Sequence, residues 1–460
     1  MLQLTNQSDV LRERREGKKE SAMHAAFEKN IPAMARTFAA GWESLPEAFA
    51  PSGEAKSPRE QRANEERIRT WMREHDGDGP LPQRGALQRM HRMRDAVRNL
   101  LTDSIGAEHR DATSEILREF SDAGDRFIDA ARAFDPRLAP DDIFQALRNF
   151  WIINSLQSAF ALPVRLTPSG LAYSLMYPYT DNFLDDRSIP ESLKAEFNRR
   201  LALRLEGNRI RGGSTRFKKL SRLVDLVESE YPRTAYPGVF ASLLAIQKAQ
   251  EGSLLQHAPH QQPYEIIAAL SMEKGGTSVL ADAYMAKGRL TPSESFFAFG
   301  FGVLLQLIDD LQDVETDQAG GHATVFTHAS AGGVLDGVTN RLFRFTDDML
   351  SSRNVLASPR ASTLGALMRH GCRGLILESI AMNERRYSAG YCAAMEPYAG
   401  VSFPFIRELH GEMRARERAM RKKVGAASPP MNGRNAAWTG GPGPLHPLPR
   451  TPRPEVPLPS

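Results

Sequence analysis

The sequence predicts an all-α protein on three observations. Apolar residues recur at spacings of three and four, the alternation that marks strands is nearly absent, and one long apolar segment runs into aspartates spaced by helical turns. The stripe begins at Leu87, Met90, Met93 and Val97 and continues through Ile116, Phe120, Phe127 and Ile128. It returns in Phe144, Leu147, Phe150, Trp151, Ile152 and Ile153. At 3.6 residues per turn, each set forms one face that a helix can bury.

Composition divides the 460 residues into three parts. Residues 1–80 are dense in Arg, Lys, Glu and Asp. They read as a charged, largely disordered extension with short helices such as 63–73 but too few apolar residues for a core. Residues 81–423 carry the helical pattern and read as one domain. Residues 424–460, ending PGPLHPLPRTPRPEVPLPS, read as a disordered Pro/Gly-rich tail.

Lysine and arginine number 59 against 55 acids, for a net charge of +4, and no compact basic block with interleaved aromatics occurs. No nucleic-acid partner is expected. The two cysteines, Cys372 and Cys392, lack C-x-x-C spacing and read as core thiols of a reducing compartment. The start of the chain shows no secretory h-region, and the longest apolar run, 296–308, is too short to span a bilayer. A cytoplasmic protein with no transmembrane segment is the expectation.

That apolar run opens the stronger of two acidic motifs. FAFGFGVLLQLIDDLQDVETD, 297–317, is apolar on all sides at first, as a helix buried in the core would be. Gln306, Asp309 or Asp310, Asp313 and Asp317 then follow at spacings of three and four, on one face, with Glu315 turned elsewhere. Carboxylates so gathered repel one another unless a cation lies between them, and oxygen donors without His or Cys favour Mg²⁺. Gly300 and Gly302 predict close packing above this face, as beside a cavity.

The second motif in strength comes first in the chain. In MYPYTDNFLDD, 176–186, Asp181 and Asp185 are four apart and Asp186 adjoins them. On a helix both could grip the same ions, although Thr180 or Asp181 could instead cap a helix restarting after Pro178, with Pro190 ending it.

Together the motifs resemble the class I isoprenoid synthases: trans-prenyl diphosphate synthases, squalene and phytoene synthases, and terpene synthases. LQLIDDLQDVETD is similar to the second aspartate-rich motif of trans-prenyl diphosphate synthases, and DNFLDD resembles the D-x-x-x-D-D of squalene-type enzymes; the likeness covers 158–411. The resemblance implies a helical bundle around a central cavity and three Mg²⁺ ions held by Asp181, Asp185, Asp186, Asp309, Asp310, Asp313 and Asp317. It also implies a prenyl diphosphate substrate, and a homodimer is compatible with it. Lys274, in MEKGGTSVLADAY, lies where the family places a diphosphate-binding lysine, with glycines behind it that would let the helix break. Arg386-Tyr387 resembles the Arg-Tyr pair that holds diphosphate in bacterial cyclases. Gln306, Arg187 and Arg211, with Lys218, Lys219 and Arg222, are further candidates for the diphosphate, and Phe183 and Phe299 for the chain. The segment 320–330 falls where these enzymes cap the pocket, with His322 and His328 as loop histidines.

The implied chemistry is ionisation. Diphosphate leaves with growing negative charge that metal and cations offset, while an apolar pocket shields the allylic cation from water. A chain elongator also needs a basic cluster for a second diphosphate, but only Arg165 precedes the first motif and the pair Arg199-Arg200 comes late. A terpene synthase therefore ranks first, chain elongation second and squalene/phytoene-type coupling third. A non-catalytic prenyl-diphosphate-binding protein with the proline-rich tail as a docking segment is the alternative of another class.

Overall fold

The computed structural model describes residues 30–49, 53–75, 110–184, 186, 188–257, 262–352 and 354–424. Among the described residues every regular element is helical, and no helix is long and apolar enough to cross a membrane. In order they are α1 (30–44), α2 (Pro58–His75), α3 (Arg110–Phe134), α4 (Pro140–Ala159), α5 (Pro168–Leu184) and α6 (Glu191–Leu205). There follow α7 (Thr215–Glu230), α8 (Pro237–Gly252), α9 (Tyr264–Lys287), α10 (Pro292–Gln312) and α11 (Val314–Ala319). The last are α12 (Val325–Gly332), α13 (Asp336–Met349), α14 (Pro359–Met382), α15 (Ala389–Met395) and α16 (Phe403–Val424). The stripe expected at Leu87–Val97, residues 1–29 and those after Val424 lie outside the described residues.

Local sequence sets several of these helices. Pro292 opens α10 beneath a capping box in which Thr291 accepts from the Glu294 N–H and Glu294 returns the bond. Ser214 and Ser358 cap α7 and α14 by accepting the N–H of the third helical residue, without a returning side chain. α5 runs unbroken through Pro178, so Thr180 and Asp181 do not start a new helix, and Thr180 Oγ1 bonds back to the Met176 carbonyl at 2.9 Å.

The register follows from side-chain contacts. α5 runs antiparallel to α9, with Ser169 Oγ 3.0 Å from the Met285 carbonyl and Tyr177 hydroxyl 2.7 Å from Ser278 Oγ. α10 is also antiparallel to α9, the Lys287–Glu294 ion pair closing one end of the crossing. α5 and α10 are thus parallel, and both acidic motifs, at their C-terminal ends, lie beside the N-terminal half of α9. α4 runs back along α5, with Asn149 on Ser174 and Asn182 on Asp142 (3.3 and 2.8 Å).

Glycine makes the α9–α10 crossing close. A Cβ at Gly302 would overlap the Gly275 carbonyl, one at Gly275 would overlap Gln306, and one at Gly276 would enter the Phe299 ring. Gly275 and Gly276 therefore serve helix packing, and α9 continues through them rather than breaking to admit phosphate. Gly300 meets Phe38 and Met349. The glycines of α10 face neighbouring side chains and backbone, not the cavity expected above the acids.

Residues 1–80 contain more core than their composition suggested. Ile31, Ala35, Phe38 and Trp42 of α1 are buried, and Phe38 stacks on Phe299 at 5.7 Å while Trp42 meets Phe345 edge-on at 6.0 Å. α2 attaches through Gln61, whose amide donates to the Glu396 and Ala399 carbonyls, and through Glu65, which accepts from Ser402. The spacing of four, three and four in α1 is a helical stripe hidden by averaging over a charged stretch. Cys372 and Cys392 are buried free thiols, as their spacing suggested.

Two glycines of similar helical setting should respond oppositely. Gly302→Ala forces the crossing apart and should cost about 2–3 kcal/mol, as overpacking does. Gly371→Ala, where nothing lies within 4 Å of the added carbon, should gain about 0.5–1 kcal/mol. Urea unfolding of both variants checks the pair, and equal losses would contradict the packing assignment.

Candidate functional site

The buried crossing of α9 and α10 determines which polar groups meet at its end. Gln306 lies against Gly275, one residue from Lys274, and its amide donates to Asp310 Oδ1 at 2.8 Å. The other oxygen of Asp310 is buried without a hydrogen-bond partner. Burial holds Asp309 and Asp310 above the usual carboxylate range, and their own proximity and that of Asp317 add to it. Lys274 opposes the shift at both, Arg148 of α4 at Asp309 and His322 at Asp310. Burial in turn pulls the Arg148 guanidinium below the usual arginine range, and Asp309 resists that.

The acids do not form the single face expected of Asp309, Asp313 and Asp317. α10 ends at Gln312, and Asp313 is the junction to α11, its carbonyl accepting from the Asp317 N–H at 2.8 Å. The turn brings Asp317, buried, toward Asp309 and Asp310, with His322 Nδ1 3.2 Å from Asp317 Oδ1. Glu315 is exposed, as the helical period required. Among the described residues no three His, Cys, Asp or Glu side chains form a ready-made metal ligand set. The donors present are nonetheless hard oxygens with one buried carboxylate oxygen unsatisfied, which fits a cation such as Mg²⁺.

The first motif stands at the same end by register, but its acids are differently engaged. Asp181, half-buried on the last turn of α5, accepts from Thr180 Oγ1 at 3.1 Å and lies close enough to Tyr177 to disfavour its ionisation. Asp186 is exposed and accepts from the backbone and hydroxyl of Ser188 at 2.9 and 2.6 Å, which holds it below the usual range. Its carboxylate closes a turn at the surface. Asp185 and Arg187 lie outside the described residues.

Several other candidates are engaged with partners other than the acids. Phe299 is fully buried between Gly276 and Phe38, so it packs helices rather than a substrate chain. Phe183 sits between Phe197 and the Arg216 guanidinium, at 4.6 and 5.0 Å. Arg211 is exposed in the loop before α7, its carbonyl taken by Arg200. Arg386 donates to Ser330 Oγ at 2.5 Å, and the buried Tyr387 hydroxyl bonds Thr339 at 3.0 Å, so the Arg-Tyr pair ties α12, α13 and a 3-10 turn together. Lys219 is paired with Asp135, and Arg222 lies 5.1 Å over Phe134.

The segment expected to form a flexible cap is folded. Residues 325–332 are α12, and Gln256 clamps the turn before it by receiving the Ala323 N–H and donating to the Ala323 carbonyl. His322 stacks on His257 and His328 on Tyr264, each at 4.8 Å.

Two groups were missed in the sequence. Arg148 is a lone cation in the apolar run of α4, and that contrast was its only signal. Asp282, deep in α9, is fully buried with one bond from Asn149 at 2.9 Å, and burial pushes its carboxyl well up. A cavity of about 230 Å³, lined by Phe160, Thr291, Glu294 and Ser358, lies at the opposite end of α10 from the acids. Compared with known protein families, curated proteins and solved structures, the chain matches none.

The acid cluster makes stability depend on pH in a defined direction. A carboxyl whose proton affinity is raised by folding keeps its proton where the unfolded chain has lost it. Its contribution to stability is present below its ordinary value of 3.8 and is lost as pH rises through the folded value. Asp310→Asn, which has no proton to lose, should gain progressively on the parent, by roughly 1–3 kcal/mol in total, as pH rises from about 4 to about 6. Denaturation with chelator present checks this, and parallel pH curves would contradict it.

Proposed function

We propose that this protein ionises an allylic prenyl diphosphate with magnesium, releasing diphosphate, as a class I isoprenoid synthase of the terpene synthase kind. The observation that carries the reading is the meeting of Asp309, Asp310 and Asp317 with Lys274 and Arg148 at the end of the bundle where the first motif also terminates. Such a group of buried acids is costly in isolation. It becomes favourable when divalent cations and an anion share the site.

Asp309, Asp310 and Asp317 would hold Mg²⁺ from one side and Asp181 from the α5 side. Bound magnesium supplies charge that offsets the leaving diphosphate. Lys274 and Arg148 set positive charge against the same acids and would take diphosphate oxygens, with Gln306 fixing Asp310. Leu307, Ile308 and Leu311 beside the acids are fully buried, and apolar surroundings of that kind would shield an allylic cation from water.

Chain elongation is the second reading, favoured by one observation. Arg216 lies near enough to Asp186 to lower its proton affinity and stacks over Phe183, so a cation for a second diphosphate stands beside the first motif.

The test is diphosphate release from farnesyl or geranylgeranyl diphosphate with Mg²⁺, with and without isopentenyl diphosphate. Hydrocarbon formed without isopentenyl diphosphate is the expected result. Longer diphosphates would favour elongation, and tight binding with no release would leave a non-catalytic binding protein. Asp309→Asn should lower turnover at least ~10²-fold, and Lys274→Gln or Arg148→Gln should weaken it by about tenfold or more. Glu315→Gln, on an exposed side chain, should stay within about twofold. Equal losses at Glu315 and Asp309 would contradict the site.

A further inference from the structure

His322, read from the sequence as a loop histidine, is turned toward the acids. Two glycines make the turn. The N–H groups of Gly320 and Gly321 close on the Thr316 and Gln318 carbonyls, and Gly321 takes a φ of +67°, which a side chain adopts only with strain. The His322 N–H then reaches back to the Asp317 carbonyl at 2.8 Å. Its own carbonyl accepts from Thr327 Oγ1 at 3.3 Å, and its ring lies 4.8 Å from that of His257. The neighbouring Ala323 is held at both its N–H and its carbonyl by the buried Gln256. The imidazole is thus fixed through its backbone and through its ring.

What it faces is a carboxylate at a telling distance. His322 Nδ1 lies 3.2 Å from Asp317 Oδ1, yet Nδ1 is buried and, among the described residues, makes no hydrogen bond. The two atoms are close without the alignment that a shared proton needs. Adjacent ligands about 2.1 Å from one ion stand about 3.0 Å apart in an octahedral shell and about 3.4 Å apart in a tetrahedral one. The observed 3.2 Å falls between these. Asp310 offers a further donor. Gln306 occupies its Oδ1, while its Oδ2 is unpartnered on a side chain only 2% exposed. Asp317 and His322 both lie close enough for their charges to act on that carboxyl. Two donors therefore stand at ligand spacing, and a third has an oxygen to give, a set that an ion would close.

We propose that His322 Nδ1, Asp317 Oδ1 and Asp310 Oδ2 bind one divalent first-row transition cation, with His322 as its nitrogen ligand. The proposal rests on the reading above in one respect, that Asp310 and Asp317 are metal ligands. Imidazole suits first-row transition ions, whereas Mg²⁺ keeps to oxygen and to its own water. One cation position of the site therefore favours a transition ion, while Asp309 and Asp181 remain oxygen donors for magnesium. The stack on His257 and the Gln256 clamp hold the ligand ring in place, as partners behind a metal ligand do. His328, in the same segment, stacks on Tyr264 instead and provides the control.

The experiment loads the metal-stripped full chain with Mn²⁺ and follows the bound ion by electron paramagnetic resonance, with nitrogen coupling read from spin-echo modulation. Coupling to a directly bound imidazole is expected, and Mn²⁺ should bind about tenfold or more tightly than Mg²⁺ in competition. His322→Phe, which keeps a ring against His257, should abolish the coupling and weaken Mn²⁺ binding by about tenfold or more, with the metal-free melting temperature unchanged. His322→Gln is the second variant should the first fail to fold, and His328→Phe should keep both coupling and affinity. Bound Mn²⁺ without nitrogen coupling, coupling that survives loss of the His322 ring, or no Mn²⁺ binding overturns the proposal. Diphosphate release, measured in parallel, separates the two readings. Nitrogen-coupled Mn²⁺ in a protein that releases nothing leaves the metal site in place and removes the assigned reaction. Release without nitrogen coupling does the reverse.

Discussion

Close approach of α9 and α10 is the constraint on which the rest depends. Where Gly302 meets Gly275, backbone touches backbone, and no side chain separates the two helices. Dispersion gains from such contact are individually small and need full closeness to accumulate. Closeness has a second effect here. It sets Gln306 and Lys274 on either side of one line of contact, so that a short amide and a long ammonium both reach the acids at the end of α10. A looser crossing would leave Lys274 in solvent and the acids without one of the cations that offset them.

The electrostatic design is a compromise. Asp309 and Asp310 adjoin each other, with Asp317 folded back by the turn at Asp313, and burial disfavours the charge of the adjacent pair. Lys274 and Arg148 only partly offset this, and Arg148 itself is disfavoured by the same surroundings. Structural ion pairs usually resolve such conflict by bidentate contact, as Arg204 does with Glu228. At the α10 acids, one buried oxygen of Asp310 has no hydrogen-bond partner. That residual cost is what the proposed magnesium and diphosphate would offset.

The helical class could be read from periodicity because a stripe at three and four is a local property. Phe127 and Phe150, read as two stripes, stack on each other at 4.8 Å. The acid face was legible as far as Asp310 and Glu315, but not at Asp313, where the helix ends. Helix ends depend on what the next element packs against, and no spacing rule carries that. The glycines of α9 and α10 were seen but misread, because a sequence shows that something comes close without showing what. Phe299 was misassigned for the same reason: its partner, Phe38, lies more than two hundred residues earlier. Arg148 and Asp282 carried little signal because a lone charge in an apolar run looks alike whether it lines a site or closes a core bond.

The position of α1 has a consequence for how the chain reaches this state. Phe38 and Trp42 are synthesised before the surfaces that cover them, which belong to α10 and α13, around residues 296–345. Until those residues emerge from the ribosome, the apolar stripe of α1 has no native partner. Contacts between such distant positions slow folding, since a long loop must close before any burial rewards it. The nascent chain therefore carries an exposed aromatic face from the appearance of α1 until α10 and α13 follow, an interval in which aggregation and chaperone binding compete with folding.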